Sequence, residues 1–338
     1  MESYQIKIGQ IFVAALLLFT ACSQPPAREE NDTAPTTETV SFKRPSAPVP
    51  AFNADSAFFW VQKQLAFGPR TPGSQGHADC GNFLESKLKS YGFSVITQKP
   101  TITTFDNKSY RLYNIIGSYR PEETNRILLL AHWDTRPWAD GDTKDRDKPI
   151  DGADDGASGV AVLLEVARLI SQSAPALGVD IFFTDMEDYG QPDDSPFQKR
   201  ENTWCLGTQY WAGNPHVPGY KARFGILLDM VGSKGARFPR EGTGLRYASD
   251  IVDKVWKTAE VVGHADFFVS ETTYPTTDDH LYVNTLAGIP CIDIVNMDPS
   301  SQRYGAYHHT HNDKIDIIDP ATLKVVGTVL LEVLFREF

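Results

Sequence analysis

The sequence predicts an α/β layered fold around a mostly parallel sheet, and three observations carry that expectation. Apolar strands without polar alternation recur, as in RILLLAHWDT, VDIFFTD, FGILLDM and IPCIDIVN, the pattern of strands buried on both faces. Helix-period segments such as VAVLLEVARLI separate them. Several of these strands end on polar or acidic residues, in ILLLAHWD, IFFTDMED and ILLDM. In parallel α/β sheets the ligand cleft lies beyond the carboxyl ends of the strands, so these ends should converge.

In chain order, residues 55–67 have apolar positions at helical spacing, with Asp55 or Ser56 as the cap. FGPRTPGSQGH is a Gly/Pro loop, and CGNFLESKLKSYG is an amphipathic helix closed by Gly92. FSVITQKP and YRLYNIIGSY are strands. Next come the RILLLAHWDT strand, the VAVLLEVARLI helix, and the VDIFFTD and FGILLDM strands. A helix over 250–262, the IPCIDIVN strand and a last helix from about Pro320 complete the body.

The chain has 338 residues, 41% of them hydrophobic, enough for one large core. Its net charge of -11 argues against a nucleic-acid binder, which needs a basic face. Residues 1–21 have the shape of a signal peptide: Lys7 precedes the short apolar run IFVAALLLFTA. The run ends in LFTAC, which resembles a bacterial lipobox and makes Cys22 the expected lipid anchor. An ordinary secretory signal is the alternative. The polar, proline-rich residues 22–50 are expected to be a disordered tether. Residues 51–338 are expected to form a single catalytic domain. The expected location is an exported protein, lipid-anchored to a bacterial membrane on its periplasmic or cell-surface face. Cys80, Cys205 and Cys291 allow one disulfide with a thiol left over, or three buried free thiols.

The polar residues expected at the cleft are His132 and Asp134, Asp154 and Asp155, Glu187 and Asp188, Asp229, Asp278 to His280, and His308, His309 and His311. So many carboxylates together repel one another, and a divalent cation relieves that repulsion. Imidazole mixed with carboxylate suits zinc. Asp154 or Asp155 could instead cap the following helix. At a strand end neighbouring side chains point to opposite sides. Of Glu187 and Asp188, one can therefore be a ligand and the other a proton shuttle, while Asp185 is structural. His77, His216 and His264 are expected at the surface.

The ordered motifs HWD, GADDGASGVAVLLE, DMEDYG, LLDMVG, DDH and YHHTHND resemble the zinc aminopeptidase clan. More closely, they resemble the glutaminyl cyclases on that fold, of the bacterial lipoprotein type. The resemblance implies a three-layer α/β/α sandwich with a mixed, mostly parallel central sheet. It implies one zinc per chain held by Asp155, Asp188 and His309, with Glu187 as general acid/base and Asp229 and Asp278 hydrogen-bonding around it. His132 and Asp229 match second-metal positions of the aminopeptidases. The substrates implied are peptides or proteins with an N-terminal glutamine, and a monomer is expected. The second acid of the D-x-E-E pattern is the shorter Asp188 here. His308 stands where the animal cyclases have tryptophan, and Asp293 where they have histidine. Trp133, Trp204, Tyr307 and His308 are expected around the substrate pocket, with Trp211 as a further candidate for its wall. The alternatives are a two-zinc aminopeptidase and a non-catalytic binding protein on the same fold.

Overall fold

The computed structural model describes residues 44–337. The signal-peptide residues 1–21, Cys22 and most of the expected tether lie outside them. The packed body begins ahead of the Ala51 boundary. Ser46 donates through its amide and hydroxyl to the Phe335 carbonyl, and Ala47 and Val49 lie against the core.

Helix α1 spans Ala54–Leu65 and α2 spans Gln75–Ser90. Strands β1 Ser94–Gln98, β2 Thr101–Thr103, β3 Ser109–Arg111, β4 Asn114–Tyr119 and β5 Arg126–His132 follow. Then come α3 Ala157–Gln172, β6 Gly178–Thr184, α4 Leu206–Gly213, β7 Gly225–Asp229, β8 Phe238–Arg240 and α5 Gly242–Val261. Strand β9 Phe268–Thr272, α6 Asp279–Thr285, β10 Cys291–Val295 and α7 Pro320–Arg336 complete the framework.

The central sheet has six strands in the order β1-β4-β6-β5-β7-β10. β1 and β6 pair antiparallel with β4, whereas β6/β5, β5/β7 and β7/β10 are parallel. In register, Leu129 sits opposite Ile181 on one side and Ile226 on the other. The sheet is mixed and mostly parallel, as expected, and helices cover both faces. Ile127, Leu129 and Ala131 join the large core beneath α1, α2, α3, α5 and α7, while Leu128 and Leu130 join Trp211 of α4 and Val283 of α6. Both faces are buried, which is why these strands read as unbroken apolar runs.

Several local expectations are corrected. Asn53, not Asp55 or Ser56, caps α1, accepting from the Ser56 amide. α2 starts at Gln75 with Ser74 as its cap, so His77 belongs to the helix and is buried. α5 begins eight residues ahead of the expected 250, and a non-helical Ala248 interrupts it. Asp154 and Asp155 do not cap α3, whose cap position is Gly156 at φ 98°. A side chain there would be strained, and its Cβ would lie 2.8 Å from the Asp134 carbonyl. Cys80, Cys205 and Cys291 are buried free thiols, so no disulfide joins them. Among the described residues, no helix is long and apolar enough to cross a membrane.

Glu241 pins three segments together. Its carboxylate accepts from the Thr243 and Gly244 amides at the start of α5, from the Thr276 amide, and lies 3.0 Å from His280 Nε2. Burial alone would raise its pKa, but the His280 ring and the two α5 amides outweigh burial and bring it down to about 2. A folded-state pKa below the ordinary value means the stabilisation is present above about pH 4.5 and lost as pH falls toward 2. Wild type should exceed Glu241→Gln by about 2–3 kcal/mol near neutrality. In paired denaturant titrations that gap should shrink below half by about pH 3. A gap that stays constant across the window would refute the assignment.

Candidate active site

The parallel strands β5, β6, β7 and β10 all end at one edge of the sheet, and a cavity of about 790 Å³ opens there. Asp155, Glu187, Asp229, Asp278, Trp204 and His309 are among its walls. The volume suits a small-molecule or chain-end ligand.

The acidic end of β6 makes a tight turn. Met186 is left-handed at φ 55°, a conformation that costs a non-glycine residue about 1–2 kcal/mol. The Asp185 carboxylate supports it by accepting from the Met186 and Tyr113 amides at 2.8 and 2.6 Å, with His77 Nε2 2.8 Å away. Asp134 then takes the next two amides, Glu187 N at 3.1 Å and Asp188 N at 3.2 Å. The turn sends the two acids to different neighbours. Glu187 Oε1 accepts from the Cys205 thiol at 3.2 Å, and Glu187, Cys205 and Asp278 have ligand-type atoms within 4.8 Å of one another. Asp188 instead lies 3.2 Å from His309 Nε2 and 3.5 Å from Arg136.

The α3 loop is braced in the same way. Asp313 accepts from the Asp154 amide at 2.8 Å and the Asp155 amide at 3.1 Å. Asp155 then lies between two imidazoles, 3.2 Å from His132 Nε2 and 3.7 Å from His309 Nε2. Asp229 lies 3.2 Å from the same His132 nitrogen. His309 is left-handed at φ 55°, and its Nδ1 lies 3.4 Å from Asp140. Arg136 holds Asp140 through two nitrogens at 2.6 Å.

These placements shift the pKa values of the side chains around the cavity. Burial, then the neighbouring Asp278, pushes the Glu187 carboxyl well above its ordinary range. Burial, then Asp229, does the same to Asp278. Burial pushes Asp229 up to about 6 although His132 opposes it. Burial works against a charged His309, but Asp188 and Asp140 outweigh it and push the ring up to about 9. Burial and the adjacent His309 bring His308 down to about 3, so it stays neutral.

The donor set fits a divalent cation. Asp155 Oδ2 and Asp188 Oδ2 are buried with no hydrogen-bond partner, a costly state for carboxylate oxygens unless something else engages them. Both carboxylates approach His309 Nε2, the third donor. Asp155, His308 and His309 form one compact donor group, and His132, Asp155 and Asp229 form another.

Trp204 lines the cavity, parallel to the His309 ring within 7° at a centroid distance of 5.9 Å, with the Arg136 guanidinium 4.5 Å over it. Only glycine fits beneath it: a Cβ on Gly190 would lie 1.8 Å from the Trp204 ring. His308 also lines the cavity, and so does Tyr304. Trp133 does not. It is fully buried, stacked on His77 at 4.4 Å, and donates to the Tyr113 carbonyl. Tyr307 turns away to donate to Asp154 and contacts Ser233 and Asn296. Trp211 packs against Phe182 on the sheet face. His216 and His264 are half-buried rather than exposed, and His311 pairs with Asp142 at 2.6 Å. The sequence gives no site role to Asp140, Arg136 or Cys205, none of which stands in any of the ordered motifs, nor to Asp313, which closes YHHTHND.

The profile of peptidase family M28 matches residues 114–334, the span that carries every ligand candidate above. The chain belongs to peptidase family M28. This M28 chain is 49% identical to the glutaminyl cyclase of Bacteroides thetaiotaomicron solved with N-acetylhistamine, with a TM-score of 0.84 over 86% of this chain and 100% of that one. It is 48% identical to a Tannerella forsythia glutaminyl cyclase, TM-score 0.83, over the same shares. It is equally similar, at 49% and 0.84 over 86% and 100%, to a structure described as a leucine aminopeptidase precursor from Bacteroides thetaiotaomicron. The chain spans only 40% to 70% of the length of the curated relatives it matches.

Proposed function

We propose that this M28 chain is a zinc-dependent glutaminyl cyclase, a glutaminyl-peptide cyclotransferase that converts N-terminal glutamine of peptides and proteins into pyroglutamate. The α-amine nitrogen bonds to the side-chain amide carbon, the bond from that carbon to the amide nitrogen breaks, and ammonia leaves. The observation that carries the reading is the placement of Glu187 in the cavity wall close beside Asp278, with the Cys205 thiol donating to Glu187.

Ring closure is intramolecular, so much of the acceleration comes from folding the glutamine side chain back onto its own amine. Trp204 lines the cavity in which that side chain would fold, and neutral His308 lies at the same cavity. Glu187 takes a proton from the attacking amine and delivers it to the departing nitrogen. A shuttle works best when its pKa is near the working pH, and burial beside Asp278 moves Glu187 up in that direction. Asp229 and Asp278 act as a pair that shares a proton, one donating a hydrogen bond and the other accepting. A single zinc, held by Asp155, Asp188 and His309, would supply electrophilic stabilisation of the charge developing on the amide oxygen.

The sequence adds the setting. A lipid anchor at Cys22 would hold a monomer on a bacterial membrane surface, within reach of exported peptides.

The second reading is a two-zinc aminopeptidase. His132 midway between Asp155 and Asp229 favours it, as does the resemblance to a structure described as a leucine aminopeptidase precursor. In that chemistry Glu187 must serve water lying between two metals. Its carboxylate instead accepts from the Cys205 thiol and lies beside Asp278. A non-catalytic binder would have no use for the full set of donors with Glu187 beside it.

The test is to give the purified protein a glutaminyl peptide and, separately, a leucyl amide. Ammonia with pyroglutamate, no leucine, and one zinc per chain is the expected result. Leucine release with two zincs would move the assignment to the peptidase.

A further inference from the structure

A second hollow of about 380 Å³ adjoins the catalytic cavity and shares two of its walls, Asp140 and Pro192. Its sides carry three aromatic rings. Phe105 meets Trp138 at 5.9 Å and 80°, and meets Phe197 at 5.9 Å and 78°, both edge to face. Phe197 remains 43% exposed, held edge to face against the buried Phe105. An aromatic ring held half in water at the rim of a cavity is a contact surface awaiting a partner.

The hollow is built rather than incidental. Arg146 ties its two loops together, reaching Asp194 at 2.8 Å and the Asp140 carbonyl at 2.9 Å. The Phe197 segment is fixed by Gln191, itself a wall of the catalytic cavity. Gln191 Nε2 lies 3.1 Å from the Phe197 carbonyl, 3.2 Å from the Gln198 carbonyl and 3.4 Å from Ser195 Oγ, and its Oε1 accepts from the Arg200 amide at 2.8 Å. One side chain thus sets the position of both hollows.

On the cyclase reading, on which this inference rests, the substrate's first residue is enclosed and the rest of the peptide must leave the cavity. One neighbouring hollow, past Tyr304 and His308, contains Gly141, Gln302, Arg303 and Gly305 and no phenylalanine or tryptophan. The aromatic hollow adjoins the cavity at Asp140 and Pro192. We propose that the aromatic hollow is a substrate subsite: it receives a large aliphatic or aromatic side chain from the first few residues after the glutamine. The protein would therefore prefer peptides with such a residue close behind their N-terminus.

The experiment uses the full chain and a peptide series with N-terminal glutamine followed by glycines, with phenylalanine moved through the second, third and fourth positions. At one position phenylalanine should raise kcat/KM about tenfold over the all-glycine peptide, mainly through KM. Phe197→Ala should remove that advantage and leave the all-glycine peptide unchanged. No preferred position, or a preference that survives Phe197→Ala, would overturn the subsite. Calorimetric binding of the same peptides separates the two levels. If nothing is cyclised, the cyclase reading falls, while a phenylalanine-dependent affinity lost in Phe197→Ala still upholds the subsite and equal affinities reject it.

Discussion

Glu187→Gln is expected to lower kcat for glutaminyl peptides about a thousandfold, within the range that a positioned proton carrier contributes. Bound zinc should remain, because Asp155, Asp188 and His309 are untouched. KM should move little, because the amide keeps the shape of the acid and can still accept from the Cys205 thiol. What it loses is the ability to take a proton from the amine and return it to the leaving nitrogen. Substitution also removes a negative charge beside Asp278, which relieves repulsion and should leave the fold at least as stable as the parent. Activity, zinc content and thermal unfolding on one preparation separate these effects. Turnover within tenfold of the parent would remove Glu187 from the role, whatever the zinc content.

The legible part of this site lay wherever one strand or one short motif sufficed. Apolar runs ending in acid marked the carboxyl edge of the sheet, and the cavity opens there. Glu187 and Asp188 meet different neighbours because of the left-handed Met186 turn beyond β6, which strand alternation does not describe. Alternation does apply to Trp133, which follows His132 at the end of β5. If His132 points to the cavity edge, its neighbour must point away, and Trp133 is indeed buried against His77. Its exclusion from the pocket was therefore readable from strand alternation. Tyr307 offered no such handle. It lies in an irregular segment that places His309 in a left-handed conformation, where spacing carries no direction. The interactions between distant segments were also out of reach. Asp313 meets the amides of Asp154 and Asp155 from 158 residues or more away, and Arg136 reaches Asp188 from the far side of α3. Nothing local requires such returns of the chain. Helix starts shifted for a simpler reason: several polar residues able to cap precede each helix, and spacing alone does not select Asn53 or Ser74.

Asp313→Ala should weaken zinc binding about 10- to 100-fold and cost about 3 kcal/mol of stability. The carboxylate gives one oxygen to each of two consecutive buried amides, those of Asp154 and Asp155. Alanine leaves both amides without an acceptor, at about 1–3 kcal/mol each. One effect opposes the loss. Burial, together with Asp155 and Asp154, already pushes the Asp313 carboxyl well up, so removing the charge relieves some repulsion. Asparagine isolates the two contributions. It relieves the repulsion equally and keeps one accepting oxygen, so Asp313→Asn should lose roughly half as much stability as alanine. Were repulsion the larger effect, asparagine would match or exceed the parent. Zinc enters through linkage: excess metal stabilises the folded state by RT ln(1 + [Zn]/Kd), so a variant with weakened affinity gains less at a fixed zinc concentration. Unfolding with and without zinc, alongside chelator competition, therefore measures the brace twice by independent routes. Equal zinc affinity in parent and Asp313→Ala would mean that the Asp155 loop holds its shape without Asp313. Asp134, which accepts the Glu187 and Asp188 amides in the same bidentate way, would then be the brace whose removal matters for the ligand loops.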